Sequence, residues 1–183
     1  DKYHKIRVEK NGNRFTIKLD DQFFAPVNVV TASNAGAGKV AGHFAKGLGL
    51  PLAIIDKRRF DDTEQASSWA VIGDVKDMDA IIFDDEIATG GSIKEAARIL
   101  REFGVRTVRV GATHGVLSGT AIERLNSAAL SELVLCDTIP IPEAKASTLK
   151  SLKVLSTAHM FGEAILRIHG GRSISQMMEF LPT

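Results

Sequence analysis

From about residue 27 onward, short apolar runs alternate with amphipathic stretches, and that alternation leaves few folds open. Val27-Asn28-Val29-Val30, Leu52-Ala53-Ile54-Ile55, Ala80-Ile81-Ile82-Phe83, Thr107-Val108-Arg109-Val110, Leu133-Val134-Leu135 and Lys153-Val154-Leu155 each read as a short strand. Runs this apolar suit strands buried on both faces. Between them, Val40, Phe44 and Leu48 fall at helical spacing, Ile93, Ala96, Ala97 and Leu100 recur at i, i+3, i+4 and i+7, and Ala164, Ile165 and Ile168 mark a last long helix. Strands joined through helices predict an α/β chain with three layers: a mostly parallel sheet flanked by helices on both faces. Ahead of it, Lys5 to Glu9 and Arg14 to Leu19 alternate in polarity around Asn11-Gly12, which predicts a β-hairpin. The expected organisation is therefore a hairpin extension over residues 1–28 and one α/β domain over residues 29–183. Lys57 to Ser68 is polar, charged and long, and is the stretch expected to be disordered.

The charge balance narrows the partners. With 23 basic and 22 acidic side chains the chain carries +1, too even for a nucleic-acid or membrane-surface binder. The one cysteine, Cys136, follows Leu133-Val134-Leu135 and reads as a buried, inert thiol that supports neither a disulfide framework nor a cysteine zinc site. No signal-peptide pattern opens the sequence and no apolar run approaches the ~20 residues of a membrane span, so a cytoplasmic setting is expected. Opening at Asp1 without Met, the sequence reads as a processed or trimmed product.

The chemistry concentrates in Ala80-Ile81-Ile82-Phe83-Asp84-Asp85-Glu86-Ile87-Ala88-Thr89-Gly90-Gly91-Ser92, a strand that ends in carboxylates and passes through Gly-Gly into a helix. Ser92 and Glu95 fit a Ser-x-x-Glu capping box, which would fix the helix start. Gly90 and Gly91 let backbone approach a ligand closely, and free N–H groups at a helix start favour a phosphate. Thr89 and Ser92 add hydroxyl donors. Asp84 and Asp85 suit the other end of such a ligand, accepting hydrogen bonds from vicinal sugar hydroxyls or holding a Mg²⁺ that those hydroxyls coordinate. One segment would then grip both ends of a sugar phosphate.

That segment resembles the phosphoribosyl diphosphate loop of type I phosphoribosyltransferase folds. More narrowly, Leu52 to Arg59, Val71-Ile72-Gly73-Asp74-Val75, Thr113-His114-Gly115-Val116-Leu117-Ser118-Gly119, Ala121-Ile122-Glu123-Arg124 and Asp137-Thr138-Ile139-Pro140-Ile141-Pro142 are similar, in this order, to the carboxyl-terminal half of ribose-phosphate diphosphokinases, over about Val29 to Met178. The resemblance implies a type I phosphoribosyltransferase-like fold and Mg-dependent transfer of diphosphate from ATP to ribose 5-phosphate, giving phosphoribosyl diphosphate. It implies catalytic roles for Lys57 and Arg59, whose charge would act on the transferred group. It also implies that Thr89, Gly90, Gly91 and Ser92 hold the 5-phosphate, and that Asp84, Asp85 and the position of Asn34 serve the sugar and metal. A homo-oligomer or a companion subunit is expected.

Two positions depart from the family pattern: Asn34 stands where an aspartate is usual, and Ala88 replaces an acid of the sugar loop. With an amino-terminal half reduced to about 28 unmatched residues, these favour an alternative, a noncatalytic sugar-phosphate-binding regulatory subunit. A transferase consuming phosphoribosyl diphosphate is a further alternative, although no base-recognising hood segment is evident. Gly36-Ala37-Gly38-Lys39-Val40-Ala41 formally fits a dinucleotide fingerprint with Asp56 after it, but Asp56 leads straight into basic residues; Ser33 and Val40 exclude a P-loop. His114 reads as structural or as a ligand contact at a strand end, His43 and His159 as lacking partners at metal spacing, and Met177-Met178 as packing or an oligomer contact.

Overall fold

A computed structural model describes residues 6–11, 14–19, 22–23, 27–33, 36–59 and 67–175, with side chains described from residue 27 onward except at 57–59 and 67–68. Asn34 and Met177-Met178 lie outside the described residues. The hairpin is present: β1 (Ile6–Asn11) and β2 (Arg14–Leu19) pair antiparallel from Ile6↔Leu19 to Asn11↔Arg14. A third strand, β3 (Gln22–Phe23), adds to this small sheet, which the polarity alternation does not anticipate.

The large sheet has seven strands. They are β4 (Val29–Ala32), β5 (Leu52–Arg59), β6 (Ser67–Ile72), β7 (Asp79–Ile87), β8 (Thr107–Gly115), β9 (Glu132–Cys136) and β10 (Leu152–Leu155), in the spatial order β10-β9-β8-β7-β4-β5-β6. Every neighbouring pair is parallel except β5 with β6. The expected α/β architecture is therefore the observed one. Its central strand β7 is apolar because it is covered on both sides: Ala80, Ile81 and Ile82 are buried, with Ile82 at 0 % exposure. Val27 and Asn28 already belong to this body, since Val27 is fully buried and the Asn28 side chain accepts from the amide of Asp79 at 3.1 Å.

Helices α1 (Gly38–Leu48) and α2 (Gly91–Glu102) cover opposite faces. Helix α2 buries Ile93, Ala96, Ala97 and Leu100 as its periodicity predicts, together with Ile99. Burying each large side chain contributes about 1.5–3 kcal/mol. Helix α1 turns Ala41, Ala45 and Leu48 to the sheet and leaves Val40 and Phe44 partly exposed, correcting the expected apolar face. Small residues let the helix sit close to the strands, while the Phe44 ring lies stacked on Phe83 at 3.9 Å between centroids. Three further helices are α3 (Ala121–Ser127), α4 (Glu143–Ala146) and α5 (Ala158–His169). Helix α5 forms as expected but buries none of its residues; Ile165 and Ile168 are more than 60 % exposed.

Two expectations need correction near the site. The stretch expected to be disordered, Lys57 to Ser68, is strand at both ends, where Lys57↔Trp69, Arg58↔Ser68 and Arg59↔Ser67 continue the β5–β6 ladder; residues 60–66 lie outside the described residues. Strand β5 outruns its parallel neighbour, with which it pairs only from Leu52 to Ile54, and the antiparallel partner takes up the remaining backbone groups. The capping box is also absent. Gly90, at φ 70°, precedes the helix, no side chain caps it, and Ser92 lies inside the first turn. Glu95 is instead engaged by Arg98 at 2.7 and 3.0 Å. Among the described residues no helix is long and apolar enough to cross a membrane.

Candidate active site

Strand β7 leaves the core as it reaches its carboxyl end: Asp84 is half-buried and Asp85 and Glu86 are exposed. Ligands of open α/β sheets bind at this edge. The Asp84 carboxylate accepts from the Ser33 hydroxyl at 3.1 Å and from the Asp85 amide at 3.0 Å. Ser33 directly follows β4, so the end of a neighbouring strand fixes the acid. Burial, reinforced by the Asp85 carboxyl, pushes Asp84 above the ordinary carboxylate range. Asp85 is held below it by its hydrogen bond to Asp84 and by the Glu86 amide, which donates at 2.9 Å. Two adjacent acids with opposed shifts favour one shared proton, which a bound cation would displace.

Downstream, the left-handed conformation of Gly90 turns the chain into α2; a Cβ there would stand 3.3 Å from Leu125. The first intrahelical bond runs from the Lys94 amide to the Gly90 carbonyl at 3.0 Å, so the amides of Gly91, Ser92 and Ile93 precede the ladder. With no side-chain cap, they form an N-terminus open to an anion. Sequence reasoning gave no role to Arg124 on α3, yet its Nη1 donates to the Thr89 carbonyl at 3.2 Å and stands 3.5 Å from where a Cβ on Gly91 would be. It adds a fixed positive charge to the glycine turn. A motif could not have revealed it, since α3 and the turn meet only through the fold. The same holds for Ser33.

Asp84, Asp85, Thr89, Gly90, Gly91 and Ser92 follow one another from the end of β7 to the first turn of α2, with Thr89 and Ser92 exposed, and of these six Gly91 and Ser92 line a cavity beside the turn. This cavity, of about 560 Å³, is lined by Ser33, Gly36, Asp56, Trp69, Gly91 and Ser92 among others. The backbones of Lys57 and Arg59 lie on β5, which leads away from Asp56 at this cavity. Asn34 lies outside the described residues, between Ser33 and Gly36, both of which line the cavity. Ala88 presents no polar side-chain atom; its carbonyl accepts from the Ser118 amide at 2.8 Å. Cys136 is half-buried and burial pushes its thiol up, in keeping with an inert role. Among the described residues no three or more His, Cys, Asp or Glu are arranged to hold a metal ion, so a cation at Asp84 and Asp85 would draw its other ligands from beyond this acid pair. That is how Mg²⁺ is usually held, by one or two carboxylates beside substrate phosphates.

The family described as phosphoribosyl synthetase-associated domain matches residues 61–179. The chain belongs to that family. Among its relatives, a ribose-phosphate pyrophosphokinase of Caldanaerobacter subterraneus subsp. tengcongensis is 47 % identical over 149 residues, covering 81 % of this chain and 46 % of that protein. One from Nostoc sp. is 47 % identical over 150 residues, covering 81 % and 44 %. The crystal structure of phosphoribosylpyrophosphate synthetase from Mycobacterium smegmatis superposes with a TM-score of 0.70 at 39 % identity, over 78 % of this chain and 45 % of that one. The chain therefore spans slightly less than half the length of these relatives, and it shares the fold of the matched part of the Mycobacterium smegmatis structure.

Proposed function

We propose that the chain is the sugar-phosphate-binding part of a Mg-dependent ribose-phosphate diphosphokinase, in which diphosphate passes from ATP to ribose 5-phosphate. The observation that carries this reading is the placement of paired carboxylates and an uncapped glycine-turn helix start on one continuous segment. Asp84 and Asp85 accept hydrogen bonds from the sugar hydroxyls and are the residues that would hold Mg²⁺, with the Asn34 carbonyl as a third oxygen. Mg²⁺ bound there would neutralise charge on the sugar and phosphate oxygens. Backbone amides at 91–92, the hydroxyls of Thr89 and Ser92 and the Arg124 guanidinium hold the 5-phosphate. Lys57 and Arg59 stabilise charge on the transferred group, since phosphoryl transfer rests mainly on positioning and electrostatics. Residues from Val27 onward form this unit, the hairpin ahead of it is an appendage, and a second copy or a companion chain completes the assembly in the cytoplasm.

A second reading is a noncatalytic regulatory subunit that binds the sugar phosphate, and Ala88 favours it by removing an acceptor from the loop. Incubation with ribose 5-phosphate and Mg-ATP, with AMP as readout, separates the two. AMP formation that falls at least 100-fold in Lys57→Ala and Arg59→Ala, with ribose 5-phosphate affinity kept, supports the kinase. Tight ribose 5-phosphate binding without AMP selects the subunit.

A further inference from the structure

His114 lies near the carboxyl end of β8, paired in register with Glu86, one residue beyond Asp85 on the adjacent strand. Its Nδ1 is 2.9 Å from the Thr138 hydroxyl oxygen. That hydroxyl is itself 2.8 Å from the Thr113 carbonyl, a group that can only accept. Thr138 has one proton, and the carbonyl takes it. The Thr138 oxygen must therefore accept from His114, which places the ring proton on Nδ1 and leaves Nε2 with a free lone pair in the neutral imidazole. The tautomer is set by the fold, through an isolated bridge between His114 and Asp137 that brings Thr138 alongside.

The ring is exposed at the carboxyl end of β8, beside Glu86 and one residue along the neighbouring strand from Asp85. An exposed imidazole needs no fixed tautomer for packing. A fixed one with Nε2 as an acceptor matches a ligand that offers hydroxyl hydrogens, at the end of the site where Ala88 offers none.

We propose that His114 is a specificity-determining residue whose Nε2 accepts a hydrogen bond from a hydroxyl of the bound sugar. This rests on the sugar-phosphate reading of the site and goes beyond it in naming the acceptor. Thr138 is then a positioning residue, which acts on the sugar only through the ring.

Two variants separate the ring's two nitrogens. His114→Asn keeps a donor near Nδ1 for Thr138 and removes the acceptor, whereas His114→Gln keeps an amide oxygen near Nε2 and gives up the Thr138 contact. Calorimetric titration with ribose 5-phosphate should show affinity about 3- to 10-fold weaker in His114→Asn and within about 2-fold of the unmodified chain in His114→Gln, as one hydrogen bond to a neutral acceptor implies. Binding of inorganic phosphate should not change in either variant. The reverse order, with His114→Gln weaker and His114→Asn unchanged, would show that the Thr138 contact alone matters and would overturn the proposal. Equal affinity in all three proteins would overturn it too while leaving the sugar-phosphate site intact. Failure of the unmodified chain to bind ribose 5-phosphate would remove the underlying reading, and the acceptor role with it.

Discussion

Strand β7 carries an aspartate near each end, and the two stand in opposite electrostatic settings. At the amino end, Asp79 is 4 % exposed and is met by Arg106, whose Nε donates at 3.0 Å, and by the Thr107 hydroxyl at 2.7 Å. Burial alone would raise its carboxyl, but Arg106 and Thr107 outweigh that and hold it low. The pairing continues across the sheet: Arg109 donates to Thr107 at 2.9 Å and stands 3.9 Å from Glu132, which pairs with Lys153 on β10. At the carboxyl end, Asp84 has a hydroxyl and an amide but no cation paired with it among the described residues, and its carboxyl is raised. One end of the sheet satisfies its own charges. The other leaves its acids without a paired cation among the described residues, at the edge where open α/β sheets bind ligands.

The largest expected effect separates the two aspartates by stability. Asp79→Ala leaves Arg109 buried beside one fewer carboxylate and Thr107 without its acceptor, costing about 2–3 kcal/mol and lowering Tm by roughly 5–10 °C. Asp84→Asn preserves an oxygen for Ser33 and removes a charge that burial disfavours, so Tm at neutral pH should stay level or rise. Thermal unfolding of both variants checks the contrast; a fall of Tm in Asp84→Asn as large as in Asp79→Ala would break it.

The next effect concerns the glycine turn. A Cβ on Gly91 would meet only ordinary contacts at 3.5 Å or more, toward Arg124 and Thr89, so Gly91→Val should fold while its methyl groups crowd the space proposed for phosphate. Ligand at about 100 times Kd adds roughly 2.7 kcal/mol to the folded state. At about 2–4 °C per kcal/mol, that is a Tm rise of roughly 5–10 °C for the unmodified chain with ribose 5-phosphate. The rise should vanish in Gly91→Val, and an undiminished rise would place the phosphate elsewhere.

The smallest effect is a pH dependence. Asp137, at the end of β9, accepts from both the amide and the hydroxyl of Thr157 at 2.6 Å, and these bonds hold its carboxyl down to about 2. A depressed carboxyl contributes stability above its ordinary value near 3.8 and loses it as pH falls toward 2. Asp84, with a raised carboxyl, acts in the opposite sense, its contribution being lost as pH rises through the folded value. The Tm difference between the unmodified chain and Asp137→Asn should be constant above about pH 5 and close toward pH 2. A difference that widens on acidification would contradict the assignment.

How much of this was legible in the sequence depended on whether the signal was local. The apolar run Ala80 to Phe83, the acids after it and the α2 face are each set by a short segment, and the structure has them where the pattern put them. The capping box failed because Gly90 turns the chain one residue earlier than Ser92, and sequence spacing cannot tell an N-cap from a first-turn serine. Helix α1 misled because hydropathy weights Val40 and Phe44 over Ala41 and Ala45, while close packing on a sheet favours the small residues. Strand β6 was missed because its pairing with the charged end of β5 is a tertiary event. Ser33, Arg124 and Thr138 were invisible as site residues for the same reason, each reaching its partner from another element.

The central claim is that a single segment grips both ends of a sugar phosphate, and calorimetric titration of ribose 5-phosphate with Mg²⁺ into the unmodified chain, Asp84→Asn and Gly91→Val tests it most directly. The account predicts binding to the unmodified chain, at least 10-fold weaker in Asp84→Asn, consistent with about 1.5–3 kcal/mol for a hydrogen bond to a charged acceptor. Binding should be lost in Gly91→Val, while inorganic phosphate still binds Asp84→Asn as it binds the unmodified chain. Equal ribose 5-phosphate affinity in all three proteins would contradict it.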